Sequence, residues 1–198
     1  MISLPNCDDI ARTLAVRRPQ LLPPQAAQRC AAVALVLREQ QQGGPEILLM
    51  QRTVHRHDPW SGNLSFPGGR IDPEDESACA AAKRETQEEV ALDLEDARLL
   101  GQLDDEYGVR VPIRVSGFVF EVETGVSVQL NNEASRYFWV PFSRLLEPGN
   151  HASRTVLWEG SPVTVSSFHI AESVPPLWGL TYRFLIQLLR HTGLTLPA

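Results

Sequence analysis

Residues Phe66–Leu92 read FPGGRIDPEDESACAAAKRETQEEVAL, and the rest of the chain is organised around them. A Pro-Gly-Gly turn leads through an acidic loop into a segment of helical spacing. That helix is expected to cover about residues 76–91, with Asp75 as its N-cap and Pro73 in the loop before it. At about 3.6 residues per turn, Glu85, Glu88 and Glu89 stand at i, i+3 and i+4, so three carboxylates share one arc of the surface. Like charges at that spacing repel by a few tenths of a kcal/mol per pair, and by more when partly buried. A divalent cation removes the repulsion. Hard Mg²⁺ takes oxygen ligands and is commonly shared between a few carboxylates and the phosphates of a substrate.

The remaining positions divide the helix into three faces. Ala78 and Ala81 fall on the carboxylate side, where small side chains let the Gly-rich turn approach, while Cys79, Ala82, Thr86 and Val90 form an adjacent, mostly apolar stripe. Glu76, Lys83 and Gln87 are left to face water. Arg84 precedes Glu88 by one turn and is placed to brace it.

The stretch resembles the Nudix box, GX5EX7REUXEEXGU, whose second half appears here as Arg84-Glu85-Thr86-Gln87-Glu88-Glu89-Val90-Ala91-Leu92. Ala91 stands at the usual glycine and Thr86 at the usual aliphatic. The first half is one residue longer, with Asp75 in place of a glutamate after Gly69. The REXXEE core is intact. Upstream, LLMQRTVHRHDPWSGNLSFPGG is similar to the LLTXR(S/A)X3RX3GX3FPGG segment of the coenzyme A pyrophosphatase branch, matching at Leu48, Leu49, Arg52, Gly62, Phe66, Pro67, Gly68 and Gly69. Met50 and Thr53 depart from that pattern, the loop is one residue longer, and the second arginine is displaced to Arg56. Downstream, NNEASRYFWVPFSRLL is similar to the family's E-x5-W-V-P segment, and the WGLT run at Trp178–Thr181 resembles the closing helix of the same branch.

The 198 residues suit one domain with a sizeable core, and 43% hydrophobic with 21% charged residues is an ordinary globular balance. A net charge of −6 argues against bulk affinity for nucleic acid or an anionic membrane. The three cysteines, Cys7, Cys30 and Cys79, lack CxxC spacing and point to a reduced, cytoplasmic compartment with each thiol a small buried hydrophobe. No segment approaches the roughly 18 apolar residues of a membrane span, and the N-terminus lacks the basic and apolar regions of a signal peptide.

Residues 1–28 read as a helical appendage and linker, with Ile10 and Leu14 on one side of a short helix, and residues 29–198 as the Nudix domain. Arg29–Arg38 reads as a buried strand, with Glu46–Arg52 its antiparallel partner across the QQQGG loop. Thr53–Ser65 is a long polar loop beside the Gly-rich turn, and such loops commonly serve function. A guanidinium fork matches phosphate oxygens, which makes Arg52, Arg56 and Arg70 candidates to hold them, Arg56 being equally readable as a solvated side chain. His55 and His57 lack a third ligand and read as surface or substrate-contacting histidines. Trp60 reads as packing the loop rather than stacking on a base. Beyond the helix, Ala97–Leu103 and Val111–Glu123 read as strands, with Asp104–Glu106 an exposed turn between them. Arg154–Gly160 and Pro162–Ile170 read as a hairpin around residues 159–161, followed by a closing helix with Leu177, Leu180, Phe184, Leu188 and Leu189 apolar, Trp178 in its core face and Gly193 as its stop.

The resemblance implies an α/β fold, a Nudix-type α/β/α sandwich with a mixed central sheet. It implies a pyrophosphohydrolase using Mg²⁺ or Mn²⁺, the metal held by Glu85, Glu88 and Glu89 with the Gly69 carbonyl, and Arg84 orienting the carboxylates. The general base is left open among Glu89, Glu88 and Glu133. Glu133 also reads as a metal ligand or a plain loop carboxylate. Gly68 and Gly69, with Arg52, Arg56 and Arg70, would line the substrate site. The implied substrate is coenzyme A or acyl-CoA, cut to 3′,5′-ADP and 4′-phosphopantetheine, with ADP-ribose, NADH or a nucleoside triphosphate as competitors. A non-catalytic nucleotide-binding module is the reading from a different class. Partners are thus a small nucleotide, with no nucleic acid and no membrane. A homodimer is among the oligomeric states the sequence allows.

Overall fold

A computed structural model describes residues 4–23, 29–40, 43–56, 60–109, 111–158 and 160–194. His57 and Glu159 lie outside the described residues. The chain begins with α1 (Cys7–Ala15), whose Asn6 and Asp9 exchange hydrogen bonds as a capping box. Strands β1 (Arg29–Arg38), β2 (Glu46–Arg52), β3 (Leu64–Ser65) and β4 (Gly68–Arg70) lead to α2 (Ala78–Val90). There follow β5 (Arg98–Gln102), β6 (Glu106–Tyr107), β7 (Ile113–Val122), β8 (Ala134–Pro141) and the short α3 (Phe142–Leu145). The chain closes with the β9 (His151–Trp158) and β10 (Ser161–Phe168) hairpin, β11 (Leu177–Trp178) and α4 (Gly179–His191).

The main sheet runs β3-β2-β1-β7-β5, with β8 on β2, β4 on β1 and β6 on β7. It is mixed because β1 and β7 are parallel over their whole length, from Arg29↔Ile113 to Arg38↔Val122, whereas the other pairings are antiparallel. The antiparallel pairing expected between β1 and β2 exists, but only at Leu37↔Ile47 and Arg38↔Glu46. Beyond those pairs β4 takes the same edge of β1, Ala31–Val33 facing Arg70–Gly68. This places the Gly-rich turn against the sheet.

Period-two alternation sends one strand into two cores. Ala31, Leu35 and Leu37 of β1 join the core that includes Ile10 and Leu14 of α1 and Phe184, Leu185, Leu188 and Leu189 of α4. Ala32, Ala34 and Val36 face the opposite core, with Ala81, Ala82 and Val90 of α2. β2 splits likewise, Ile47 and Leu49 against Leu48 and Met50. The result is a three-layer α/β/α arrangement with α2 on one face and α4 on the other, and α1 is built into the larger core.

Three local readings are corrected. The N-cap of α2 is Ser77, whose Oγ accepts from Ala80 N at 3.1 Å, because the Asp75 carboxylate is engaged by Arg84 and α2 starts at Ala78. Asp104–Glu106 is no exposed turn. Asp105 is 7% exposed and accepts from Ser116 Oγ at 2.6 Å and Leu22 N at 3.0 Å, while Asp104 accepts from Arg17 and Gln20 N, so the run fastens residues 17–22 to the sheet. Leu177 and Trp178 form β11 rather than helix, and half-buried Trp178 faces a cleft instead of the core. The C-cap of α2, Ala91, is the one non-glycine residue with positive φ (52°) among the described residues, at the position where the Nudix box carries glycine. An L-residue there carries about 1–2 kcal/mol of backbone strain.

Candidate functional site

Arg84 is the hub of the acidic loop and α2. Its Nε and Nη2 donate to the two oxygens of Asp75 at 3.0 and 2.9 Å, Nη2 also donates to the Arg70 carbonyl at 3.0 Å, and Nη1 reaches Glu85 at 3.0 Å and Glu88 at 3.4 Å. The two-pronged Asp75 contact holds that carboxyl below the usual range. Arg84 therefore braces Glu85 and the end of β4 as much as Glu88, which is exposed.

The glycines bring the backbone up to the carboxylates. A Cβ on Gly68, at φ +147°, would lie 2.3 Å from the Ala32 carbonyl. A Cβ on Gly69 would lie 2.4 Å from the Glu85 carboxyl carbon. Absence of side chains thus lets β4 sit between β1 and α2. Gly68 N donates to Glu89 Oε2 at 2.9 Å. Glu89 is only 2% exposed, and Arg52 Nη1 stands 4.0 Å from its Oε1. Burial pushes the Glu89 carboxyl up to about 8, with Glu85 and Glu133 adding to the rise and the Gly68 N–H and Arg52 opposing it. Burial raises Glu85 as well, Arg84 opposing.

Glu133 is exposed, yet its charge is felt at both Glu85 and Glu89. Its loop is tied down at both sides, since Thr53 N donates to the Glu133 carbonyl at 2.7 Å and Asn131 N to the Glu89 carbonyl at 3.1 Å. Glu85, Glu88, Glu89, Arg84, Gly68, Gly69, Arg52 and Glu133 are therefore gathered at one end of the sheet.

A cleft of about 620 Å³ opens beside them, lined by Arg52, Gly68, Gly69 and Arg70 on the site side. That is ample for a nucleotide-sized ligand. Arg56 is exposed and is not among the lining residues, and His55 is likewise exposed. Half-buried Trp60 lines the cleft instead of merely packing its own loop. Sequence reading missed Arg29, Asn63, Trp178 and Thr181 on the cleft wall, and Trp178 Nε1 donates to Asn63 Oδ1 at 3.2 Å. Their only local signal is the WGLT run, because the cleft forms where α4 returns to β1. Among the described residues, the thiol and carboxylates already within 4.8 Å of one another are Cys7, Glu39 and Glu121, on the α1 side, whereas Glu85 and Glu88 are turned toward Arg84.

The NUDIX domain family model matches residues 27–158, two-thirds of the chain, including Arg52, Gly68, Gly69, Arg84 and the glutamates of this site but not the α4 side of the cleft. The chain belongs to the Nudix family. It is 32% identical over 185 residues to NudL of Salmonella paratyphi B, described as an uncharacterized Nudix hydrolase, covering 89% of each protein. Over 112 residues it is 37% identical to an uncharacterized protein of Schizosaccharomyces pombe, spanning 52% of this chain and 34% of that one. A MutT/nudix family protein from Enterococcus faecalis superposes with a TM-score of 0.58 at 16% identity, over 87% of this chain and 64% of that structure, which is a likeness of fold. This Nudix chain is a pyrophosphohydrolase of a divalent-metal-dependent family. No helix among its described residues is long and apolar enough to cross a membrane.

Proposed function

We propose that this Nudix enzyme hydrolyses the diphosphate linkage of a nucleoside diphosphate derivative, with coenzyme A or an acyl-CoA as first candidate, giving 3′,5′-ADP and 4′-phosphopantetheine. The observation that carries the reading is the buried Glu89 carboxyl at the cleft end, facing Glu85 and Glu133 with one guanidinium 4.0 Å away. A buried carboxylate that is incompletely compensated is a standing cost, and a hard cation on an all-oxygen donor set offsets it. The residues fit Mg²⁺ or Mn²⁺, which Glu85, Glu88 and Glu89 would hold together with the Gly69 carbonyl. When bound, such an ion polarises the phosphoryl group and lowers the pKa of an attacking water.

The chain's own groups divide the remaining work. Arg84 holds Glu85 and Glu88 in orientation through its Asp75 anchor. Gly68 N–H fixes one oxygen of Glu89, leaving the other toward Arg52. Arg52 and Arg70 line the cleft and supply guanidinium forks for phosphate oxygens. Glu89, Glu88 or Glu133 takes the proton from water. The resemblance of the Leu48–Gly69 segment to the coenzyme A pyrophosphatase pattern supports coenzyme A over ADP-ribose, NADH and nucleoside triphosphates. Three free thiols accord with a cytoplasmic, reducing location.

The test is product chromatography after incubation with Mg²⁺ or Mn²⁺ and coenzyme A, ADP-ribose, NADH or dNTPs, with Glu89→Gln as control. Release of 3′,5′-ADP from coenzyme A, lost in the variant, is the expected result. Preference for another of these nucleotides removes the coenzyme A assignment, and binding without turnover of any of them makes the protein a nucleotide-binding module.

A further inference from the structure

The cleft does not end at its far wall. A second chamber of about 320 Å³ continues from it past Trp60 and Trp178, which line both spaces together with Val111, Ile113 and Leu180. Beyond that neck the wall is made by Gly108 and Val109 and by Val163, Thr164 and Val165 of β10. No carboxylate contributes to it among the described residues. Its one charged lining residue, Arg183, is already committed to the Glu106 carboxylate and, at 2.8 Å, to the Tyr107 carbonyl. Such a wall, in which Thr164 adds a single hydroxyl, offers little to a phosphate and much to a hydrocarbon.

β9 and β10 form an eight-pair ribbon joined to the body at Ser167, Phe168 and β11, and its side chains toward the tip are mostly exposed. A two-stranded ribbon gains little stability alone. On β10 Val163 and Val165 are half-buried between exposed Pro162, Thr164 and Ser166, and both valines line the chamber, with Thr164 at its edge.

We propose that this chamber receives an aliphatic arm, an alkyl or acyl chain, carried on the far side of the substrate's diphosphate, and that Val163 and Val165 set the chain length accepted. This rests on the reading of the cleft as a diphosphate site. Burial of each methylene in the chamber strengthens binding by about 4-fold. Isothermal calorimetry of the full chain in Mg²⁺ with methyl, butyl and octyl diphosphate reads that gradient without requiring hydrolysis. The expected result is at least a 10-fold fall in Kd from methyl to butyl, with Val165→Asp abolishing the gradient, Val165→Phe cutting it short before octyl, and Ser166→Asp on the exposed face leaving it in place.

Equal Kd values for the three diphosphates in the wild-type protein overturn the proposal, as does a full gradient in either Val165 variant that circular dichroism shows to be folded. The two aspartate and phenylalanine changes make opposite demands on packing, so one misfolded variant leaves the other decisive. Coenzyme A hydrolysis is scored separately. Hydrolysis with no gradient sinks the chamber alone, and a gradient without hydrolysis of any nucleotide sinks the enzymatic reading alone.

Discussion

Replacing Gly69 by alanine separates the chemistry of this site from its folding. The added methyl would stand 2.4 Å from Glu85 Cδ and Oε2 and 2.5 Å from Oε1, while no backbone atom is as near. Ordinary contact begins at 3.4 Å, so the carboxylate must retreat by about 1 Å. Gly69 has no positive φ, so alanine brings no backbone strain of its own. What yields is the end of one side chain, and Arg84 Nη1, 3.0 Å from it, loses its contact geometry too. A displacement of about 1 Å in a reacting constellation costs roughly 100-fold in rate, or about 2.7 kcal/mol of barrier. Folding stability should change by under about 1 kcal/mol, because what moves is the flexible end of one side chain and no backbone atom. The assay is kcat with saturating Mg²⁺ on whichever substrate is turned over, paired with urea unfolding of the same preparation. Activity within about 3-fold of wild type in a stable Gly69→Ala protein would refute the placement of Glu85 at the reacting centre.

Two further outcomes follow from the same geometry. In EDTA, Glu89 holds its proton up to about pH 8, whereas the unfolded carboxyl releases it near 4.5. The folded-state pKa is the raised one, so stability is full below about 4.5 and is lost as pH climbs through 8, by on the order of a few kcal/mol. Thermal melts between pH 5 and 8.5 should show that decline in the metal-free protein and a flatter profile in Glu89→Gln. An unchanged slope in the variant would assign the decline elsewhere. Ala91→Gly should stabilise the protein by about 1 kcal/mol, since the left-handed C-cap is exposed and glycine adopts φ 52° freely. A lower urea midpoint would contradict that account.

The elements legible in the sequence are those whose signals are local. β1 and β2 carry the bounds read for them, Arg29–Arg38 and Glu46–Arg52, because short apolar runs are bracketed by a Gly-rich loop and charged ends. The three glutamates of α2 were legible from their spacing joined to the Pro-Gly-Gly turn, and the close approach of that turn from the small residues of the helix. What was hidden depends on distant partners. Asp104–Glu106 looks like a solvated turn until Leu22 and Gln187, each 83 residues away, supply their hydrogen bonds. Asp75 looks like a cap until Arg84, nine residues on, competes for it and leaves Ser77 the role. The cleft wall at Trp178 exists only because α4 folds back across β1, and the parallel partner of β1 carries no mark in β1 itself. Charge says that a residue is polar, not whether water or a far strand will satisfy it.

That parallel partner has a kinetic meaning. Every pair in the β1–β7 ladder joins residues 84 apart, Arg29 with Ile113 through to Arg38 with Val122. Both β4 and α2 are contained within the loop so closed. The glutamate helix and the Gly-rich turn therefore cannot be held against a finished sheet until the chain as far as Val122 has been made and its strand has docked. Non-local parallel closure of this kind is slow relative to helix formation. During synthesis there is an interval in which α2 can be helical while its carboxylates still face water. Its like charges are then screened rather than buried, and Glu89 meets the apolar surroundings that raise its pKa only when the last central strand arrives.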